Sequence, residues 1–463
     1  MTMATTAPLT PEENKARGRA QRDATPRGVM AKLRDRPPDY DPVARLVWQG
    51  ESRQPDLLSL RYSRMLASPL SFYRGNALLM ADDLVRGAST SLEVQLCGDA
   101  HVSNFNLFSS PERHLVFDVN DFDETDRGPF EWDLKRLVSS LVIASSHLGH
   151  SDAQQERIVV MAAREYRLAI RRFAGETRLA TWYATLDIDT VMADLGGFFR
   201  ENAIHKVDRV VGYASGRDTR KAFSKLIVEA KDGPRIVSNP PLLVPLAELD
   251  ETGYLTRGDL DRLIAGYAKT LSSDRQELLT QFTPTDAARK VVGVGSVGTE
   301  CYVVLLIGRD ESDPFFLQIK QAGASVIATA LARDSALPAG ERVVHGQRLM
   351  QATPDVFLGW HTVKKDTSIR HYYVRQLYDN KAAIAIDRLD ESLLVTYGRI
   401  CAWTLARAHA RVGLGAQIAG YLGKSDVADQ AFAAFAMAYW SRTLGDYAEL
   451  QKAAKDGRIT LAT

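Results

Sequence analysis

The densest chemistry in the chain lies between Gly98 and Asp133. Cys97-Gly-Asp-Ala-His-Val-Ser-Asn104 is followed by Phe117-Asp-Val-Asn-Asp-Phe-Asp123. Asp99 and the Asp121-Phe122-Asp123 group each come just after a predicted strand, Glu93–Cys97 and Leu115–Val119. An aspartate, an asparagine five residues on and a second acidic strand end suit metal–nucleotide chemistry. Mg²⁺ takes carboxylate and amide oxygens together with substrate phosphates. One carboxylate can accept the proton of an attacking hydroxyl, while the asparagine and the later aspartate hold the metal on the phosphates. His101 is a further catalytic candidate. Ordinary alternatives stand beside these readings: Asp and Asn cap turns and helices, and a lone histidine is more often structural. The combined G-D-x-H-x-x-N and D-F-D pattern is far more specific than any of its parts.

A second constellation runs from Gly293 to Lys320. Val291-Val-Gly-Val-Gly-Ser-Val-Gly298 matches G-x-G-x-x-G. A dinucleotide fold places a helix straight after such glycines. Here Thr299–Ile307 is β-branched and predicts a strand, the context of a kinase-type loop over ATP phosphates. The next predicted strand, Phe315–Lys320, ends in a lysine within an apolar run. Such a lysine is costly unless paired or liganded, and in a kinase-like site it binds phosphates; the alternative is a strand-end lysine reaching solvent by its stem. Its usual partner is a glutamate on the following helix. Glu341 and Gln347 are the candidates: Glu341 sits at the helix start, where it suits the dipole, and Gln347 is better placed but uncharged.

These residues need elements to hold them. Leu57–Leu66 and Asn76–Val85 predict helices, broken by Ser68-Pro69. Ser151 caps a long helix through about Arg172. Residues 180–280 look mostly helical, with a loop at Asn239-Pro-Pro. Val291–Ile307, Phe315–Lys320, Val356–Val363 and His371–Leu377 predict antiparallel strands of a five-stranded block, with a helix at Glu341–Gln351. Leu393–Arg411 and Val427–Tyr439 predict helices. Residues 1–40, rich in Thr, Pro, Lys and Arg without apolar periodicity, predict a disordered tail or wrapping arm; a basic interaction arm is the alternative, which interleaved acids disfavour.

Composition narrows the class. The chain has 463 residues, with 58 Lys+Arg against 57 Asp+Glu. That balance disfavours nucleic acid as a main partner. Cys97, Cys301 and Cys401 lie far apart with no knuckle spacing, which suits reduced thiols in a cytoplasmic protein. No apolar run approaches a membrane span.

The chain resembles the bacterial family known as domain of unknown function 2252. The resemblance rests on Ser-Pro-Leu-Ser-Phe-Tyr-Arg-Gly75, Cys-Gly-Asp-Ala-His-Val-Ser-Asn-Phe105, Asn-Asp-Phe-Asp-Glu124, Phe-Glu-Trp-Asp-Leu-Lys-Arg136, Val-Gly-Val-Gly-Ser-Val-Gly298, Gly-Gln-Arg-Leu-Met-Gln351, Tyr-Val-Arg-Gln-Leu377 and Leu-Ala-Arg-Ala-His-Ala-Arg411. The two central motifs are also similar to those of aminoglycoside phosphotransferases and related kinase-like enzymes. That similarity implies Asp99 as catalytic base, Asn104 and Asp121 as metal ligands, and Asp133 as a buried brace of the catalytic loop. It implies Gly293, Gly295, Gly298 and Lys320 as the ATP-binding set, with Gln376-Leu377 at a hinge. In kinases the glycine loop precedes the catalytic loop, whereas here it follows by about two hundred residues. The expectation is therefore an α+β, bilobal kinase-like fold in circularly permuted order. Its parts are an arm over 1–40, a helical large lobe over 41–283, a β-rich small lobe over 284–377, and C-terminal helices over 378–463.

Three functions compete. The first is an ATP- and Mg²⁺-dependent phosphotransferase acting on a small-molecule or protein hydroxyl, with Asp123 holding a second metal; transfer of another part of the nucleotide, such as AMP, is its variant. The second is a nucleotide-binding protein without catalysis, suggested by the missing helix glutamate. The third is a metallophosphoesterase, suggested by Asp99-Ala-His101. Arg61, Arg64 and Arg74 precede the catalytic loop and can meet an anionic substrate, although structural ion pairs are the plainer reading.

Overall fold

The computed structural model describes residues 9–186, 226–230, 233–249, 254–365, 368–377 and 382–462. Helices and strands mix along the chain in an α+β arrangement. The first helix, α1 (Pro11–Ala24), starts with a capping box in which Thr10 and Glu13 satisfy each other's backbone N–H groups. Of the two expectations for residues 1–40, residues 9–40 thus form a docked, wrapping arm and not a disordered one. Its fastening leaves no hydrophobic signature, because α1 buries only Gly18. A Cβ on Gly18 would stand 1.8 Å from the carbonyl oxygen of Gln417, so α1 crosses a late helix backbone to backbone. Arg22 and Arg27 complete the attachment by donating to the carbonyls of Gly420, Tyr421 and Leu422.

Four helices follow: α2 (Pro42–Gly50), α3 (Leu58–Met65), α4 (Pro69–Gly75) and α5 (Ala77–Arg86). Ser68 caps α4 and Pro69 takes its first turn, so the predicted break is the start of a separate short helix. Strand β1 (Glu93–Leu96) pairs with β4 (Asp126–Pro129), and β2 (Phe105–Ser109) forms a hairpin with β3 (Leu115–Val119). α6 (Glu131–His147) is buried along nearly its whole length and packs against α7 (Asp152–Phe173), which starts from the capping box at Ser151. A short helix, α8 (Arg178–Tyr183), follows.

Residues 187–225 fall outside the described residues, so the helical expectation there stands outside them too. After them the expectation is corrected. β5 (Ile227–Ala230) pairs with β6 (Gly233–Ile236), and β7 (Leu243–Pro245) opens the main sheet. That sheet has six antiparallel strands rather than five, in the order β11-β12-β10-β9-β8-β7. They are β8 (Thr283–Lys290), β9 (Cys301–Ile307), β10 (Pro314–Ala322), β11 (Gly359–Lys365) and β12 (Ser368–Gln376), with β7 on the edge. The strand predicted over Val291–Ile307 begins only at Cys301, since Val294–Ser296 forms a 3₁₀ turn.

Helices α9 (Arg257–Ala268) and α10 (Ser273–Leu279) cover one face of this sheet. Leu260, Leu263 and Tyr267 share a core with Tyr302, Val304 and Leu306. The boundary predicted at 283/284 therefore falls too late: the β-rich part draws on residues from β5 onward. Two helices follow Lys320, α11 (Val326–Ala330) and α12 (Ala339–Met350), and α12 packs on β10, β11 and β12. The chain then returns to the helical part. β13 (Ala382–Ala383) joins β2, and α13 (Glu391–His409), α14 (Gly415–Leu422) and α15 (Val427–Lys455) close round α6 and α7. Their apolar faces merge into one large core with α6, α7 and the site strands. No helix among the described residues is long and apolar enough to cross a membrane.

Candidate functional site

Two short loops leave the same end of the β1–β4 and β2–β3 pairs. The β2–β3 register sets Phe105 opposite Val119, so Asn104 and Asn120 face each other and Asn120 N donates to Asn104 O at 3.0 Å. This local pairing brings Asp99 and Asn104 beside Asp121. Gly98 has φ of 85°, and a Cβ there would lie 2.1 Å from the Glu124 carbonyl oxygen, so the two loops approach as only glycine permits. Asp133 lies in the first turn of α6 and is buried. It accepts from Cys97 N at 2.8 Å and Gly98 N at 3.0 Å, bracing the loop just before Asp99. His409 of α13 adds a contact of 3.3 Å to the same carboxylate.

Asp99 accepts from Arg136 Nε at 2.7 Å. Arg136 is itself fixed by Asn76 Oδ1, by the Tyr73 carbonyl and by the Tyr73 ring beneath it. Burial raises the Asp99 carboxyl above its ordinary value, with the Arg136 charge and hydrogen bond opposing. His101 lies against it, Nε2 to Oδ2 3.7 Å. Burial, with the charges of Arg74 and Arg136, drives the imidazole well below its usual range, so it is neutral. Asn104 donates Nδ2 to the Asp99 carbonyl at 2.8 Å.

The lysine has a carboxylate partner, but not on the following helix. Lys320 Nζ is 2.7 Å from Asp123 Oδ2, from a residue 197 positions earlier. Asp123 also accepts from Ser296 Oγ of the glycine loop at 2.9 Å and from Tyr373 OH at 2.5 Å. Burial pushes its carboxyl up, but the Lys320 charge and these hydrogen bonds outweigh that and hold it at about 2. Asp121 moves the other way, raised by burial and by the neighbouring Asp123 charge. Glu341 makes no part of this site. α12 instead contributes Arg342, which donates to the carbonyls of Asp123, Thr125 and Gly323. Gln347 does face the site, donating to Gln351.

Part of this set lines one cavity of about 640 Å³, within the range of small-molecule sites. Asp99, His101, Asn104, Asp121, Gly293, Gly295, Lys320 and Gln376 all border it. Gly298 does not: it turns at φ 89° and rests against Arg53. At the expected hinge, Gln376 N donates to Asp355 and Leu377 N to the Phe316 carbonyl. Residues 378–381 lie outside the described residues.

A magnesium ion fits part of the expected ligand set. Asn104 spends its Nδ2 internally, and among the described residues nothing donates to its Oδ1. Among the described residues Asp121 accepts from Asp123 N alone, on Oδ1, leaving Oδ2. Two hard oxygens beside a cavity suit an ion that completes its shell with phosphates and water. Asp123, expected to hold a second metal, here accepts from three donors, Lys320 Nζ, Ser296 Oγ and Tyr373 OH. Among the described residues no group of three or more His, Cys, Asp or Glu able to hold a metal occurs. The metallophosphoesterase alternative thus has no such cluster there.

Several site residues escape sequence reasoning. Ser296 sits inside the glycine motif and Arg136 inside Trp-Asp-Leu-Lys-Arg136, but neither spacing announces its partner. Tyr373 and Arg375 alternate on β12, and Tyr373 stands directly opposite Lys320 in the β10–β12 register. That pairing is visible only once the register is known. The glycine loop is also tied to the early helices. Arg53 donates to Val297 O, Arg64 to Val292 O, and Gln54 N to Gly298 O. Arg61 is fully buried and donates to Gln49 and to the Gly75 carbonyl, not to an acid.

The fold and site define a mixed α+β protein with one cavity joining an acidic loop pair to a glycine loop and a clasped lysine. The family model described as "Uncharacterized protein conserved in bacteria (DUF2252)" matches residues 53–453, and the chain belongs to that family. No curated protein and no solved structure matches it.

Proposed function

We propose that the protein is an ATP- and Mg²⁺-dependent phosphotransferase of kinase-like, permuted, two-lobed architecture, acting on a hydroxyl acceptor. The observation that carries this reading is the meeting, in one cavity, of Asp99, Asn104 and Asp121 with Gly293, Gly295 and Lys320. Strand, glycine loop, strand, lysine strand and helix follow in the order of parts that cradles ATP in kinases. In this reading Asp99 takes the proton of the acceptor hydroxyl. Arg136 aims that carboxylate and favours its ionised form, opposing the burial that raises it. The backbone of Gly293 and Gly295 approaches the phosphates closely, and Lys320 meets them as a point charge. Asn104 and Asp121 would hold the magnesium ion, which when bound neutralises phosphate charge. Neutral His101 donates or accepts a hydrogen bond without adding charge beside Asp99.

A thermal-shift panel of nucleotides with and without Mg²⁺, on wild type and Asp121→Ala, tests the reading. Mg²⁺-dependent stabilisation by ATP that is lost in Asp121→Ala supports it; no nucleotide shift under any condition refutes it. The nucleotide-binding alternative without catalysis keeps one specific observation in its favour. Lys320 is locked to Asp123, and no α12 carboxylate partners it. ATP turnover in wild type that vanishes in Asp99→Ala eliminates this alternative.

A further inference from the structure

Three arginines from the early helical segment lie beneath the glycine loop. Two have plain structural tasks: Arg53 and Arg64 hook the carbonyls of Val297 and Val292. The third, Arg74 at the end of α4, differs. Its Nε is buried without a partner, and among the described residues none of its nitrogens makes a hydrogen bond. Its head nevertheless borders the cavity, and a Cβ on Gly293 would lie 3.9 Å from its Nη2. The charges of Asp99 and Asp121 act on it, although Asp99 spends its close contact on Arg136. A half-buried guanidinium with no hydrogen-bonding partner is unfavourable unless a ligand supplies one. Its planar fork matches phosphate oxygens. The three features around it are the proposed base, a proposed metal carboxylate and the phosphate loop, which together bracket the path of a transferring group.

We infer that Arg74 binds the phosphoryl group in transit between nucleotide and acceptor. This rests on the phosphotransferase reading above. In the step, the bond from the terminal phosphorus to the bridging oxygen breaks, and ADP leaves with that electron pair. A new bond forms from phosphorus to the acceptor oxygen, whose proton passes to Asp99. Arg74 stays protonated throughout and lends two N–H donors to the equatorial oxygens, where charge is concentrated during transfer.

The test uses the full-length protein with water as acceptor. Thermal shifts are read with MgADP, and with MgADP plus fluoroaluminate as a mimic of the planar phosphoryl group. Wild type should gain further stabilisation from fluoroaluminate. Arg74→Ala should keep the MgADP shift, lose the fluoroaluminate increment, and hydrolyse ATP ~10²- to 10³-fold more slowly. Added guanidinium should restore part of that rate in Arg74→Ala but none in Asp99→Ala, and Arg74→Lys should retain an intermediate rate. The melting temperature without ligand controls for folding. A fluoroaluminate increment that persists in Arg74→Ala, or hydrolysis within about threefold of wild type, overturns the role of Arg74 while leaving the nucleotide reading intact. Absence of any MgADP or MgATP shift in wild type overturns both together.

Discussion

The Lys320–Asp123 clasp sets the sharpest stability test. Asp123→Asn removes the charge and keeps the shape. The lysine side chain is 4% exposed and the aspartate 24%, so neither finds much water when its partner is lost. Lowering the Asp123 carboxyl from 3.8 to about 2 corresponds to about 2–3 kcal/mol of charge-specific stabilisation, at about 1.4 kcal/mol for each tenfold change in proton affinity. Breaking a buried pair from one side costs about 3–5 kcal/mol in general. Here the loss is tempered, because Asp121 stays nearby and ionises more readily once Asp123 is neutral. The expectation is a loss of about 2–4 kcal/mol at pH 7 in urea unfolding, with an unchanged slope. In a cycle with Lys320→Met, the coupling should be about 2 kcal/mol. The pH dependence has a definite sign. The folded pKa lies below the unfolded one, so the stabilisation is present above about pH 4 and is lost as the pH falls towards about 2. Wild type and Asp123→Asn should therefore converge only at the acid end. A variant within about 0.5 kcal/mol of wild type at pH 7, or a coupling that small, would refute the clasp as a stabilising unit.

Other consequences are read by the same methods. Asp133→Ala strands the N–H groups of Cys97 and Gly98, at roughly 1–3 kcal/mol each, whereas Asp133→Asn keeps one acceptor and should lose less. Comparing the two unfolding curves checks the ranking. Gly18→Ala forces α1 off the Gln417 carbonyl and should cost about 1–3 kcal/mol, with cleavage by added protease appearing first in the N-terminal segment. Burial raises Glu124 from 4.5 to about 7, despite the hydrogen bond from Val326 N. Its contribution is present below about pH 4.5 and lost as the pH rises through about 7, by up to roughly 3 kcal/mol. The stability difference between wild type and Glu124→Gln should change with pH across that window. A pH-independent difference would contradict the assignment.

What the sequence revealed follows the reach of its signals. The Gly98–Asp123 stretch was legible because its geometry is local: one hairpin register and one glycine bring Asp99, Asn104 and Asp121 together. The partner of Lys320 was not, since Asp123 lies 197 residues away and no periodicity encodes so distant a pair. The D-F-D spacing places two carboxylates near the site but does not say which turns to the lysine. Helix α1 carried a usable sign in Thr10-Pro-Glu-Glu13, a capping box with proline in the first turn. Its lack of an apolar stripe concealed it, because it docks through Gly18 rather than through side chains. Helices α9 and α10 were readable as helices, but Leu260 and Tyr267 fit any core equally well, so their attachment to the sheet needed the structure.

The order of segments along the chain matters little to a site held by such cross-connections. Arg342 reaches from the helix after the lysine strand to the carbonyls of Asp123 and Thr125, and Val326 N donates to Glu124. Gln351 Nε2 donates to Val119 O at 2.6 Å, and Arg407 pairs with Asp118 at the foot of the same hairpin. Arg53, Gln54 and Arg64 fasten the glycine loop from the opposite side. Most of these bonds end on backbone carbonyls, so they fix where the loops lie rather than which side chains they carry. The conformational entropy of placing the acidic loops beside the glycine loop is then spent on folding, not on ligand binding. A cavity organised in this way needs no linker of particular length between its contributing segments. It needs only that each segment reach its hydrogen-bonding partners, a condition that a permuted chain can meet as well as an ordinary one.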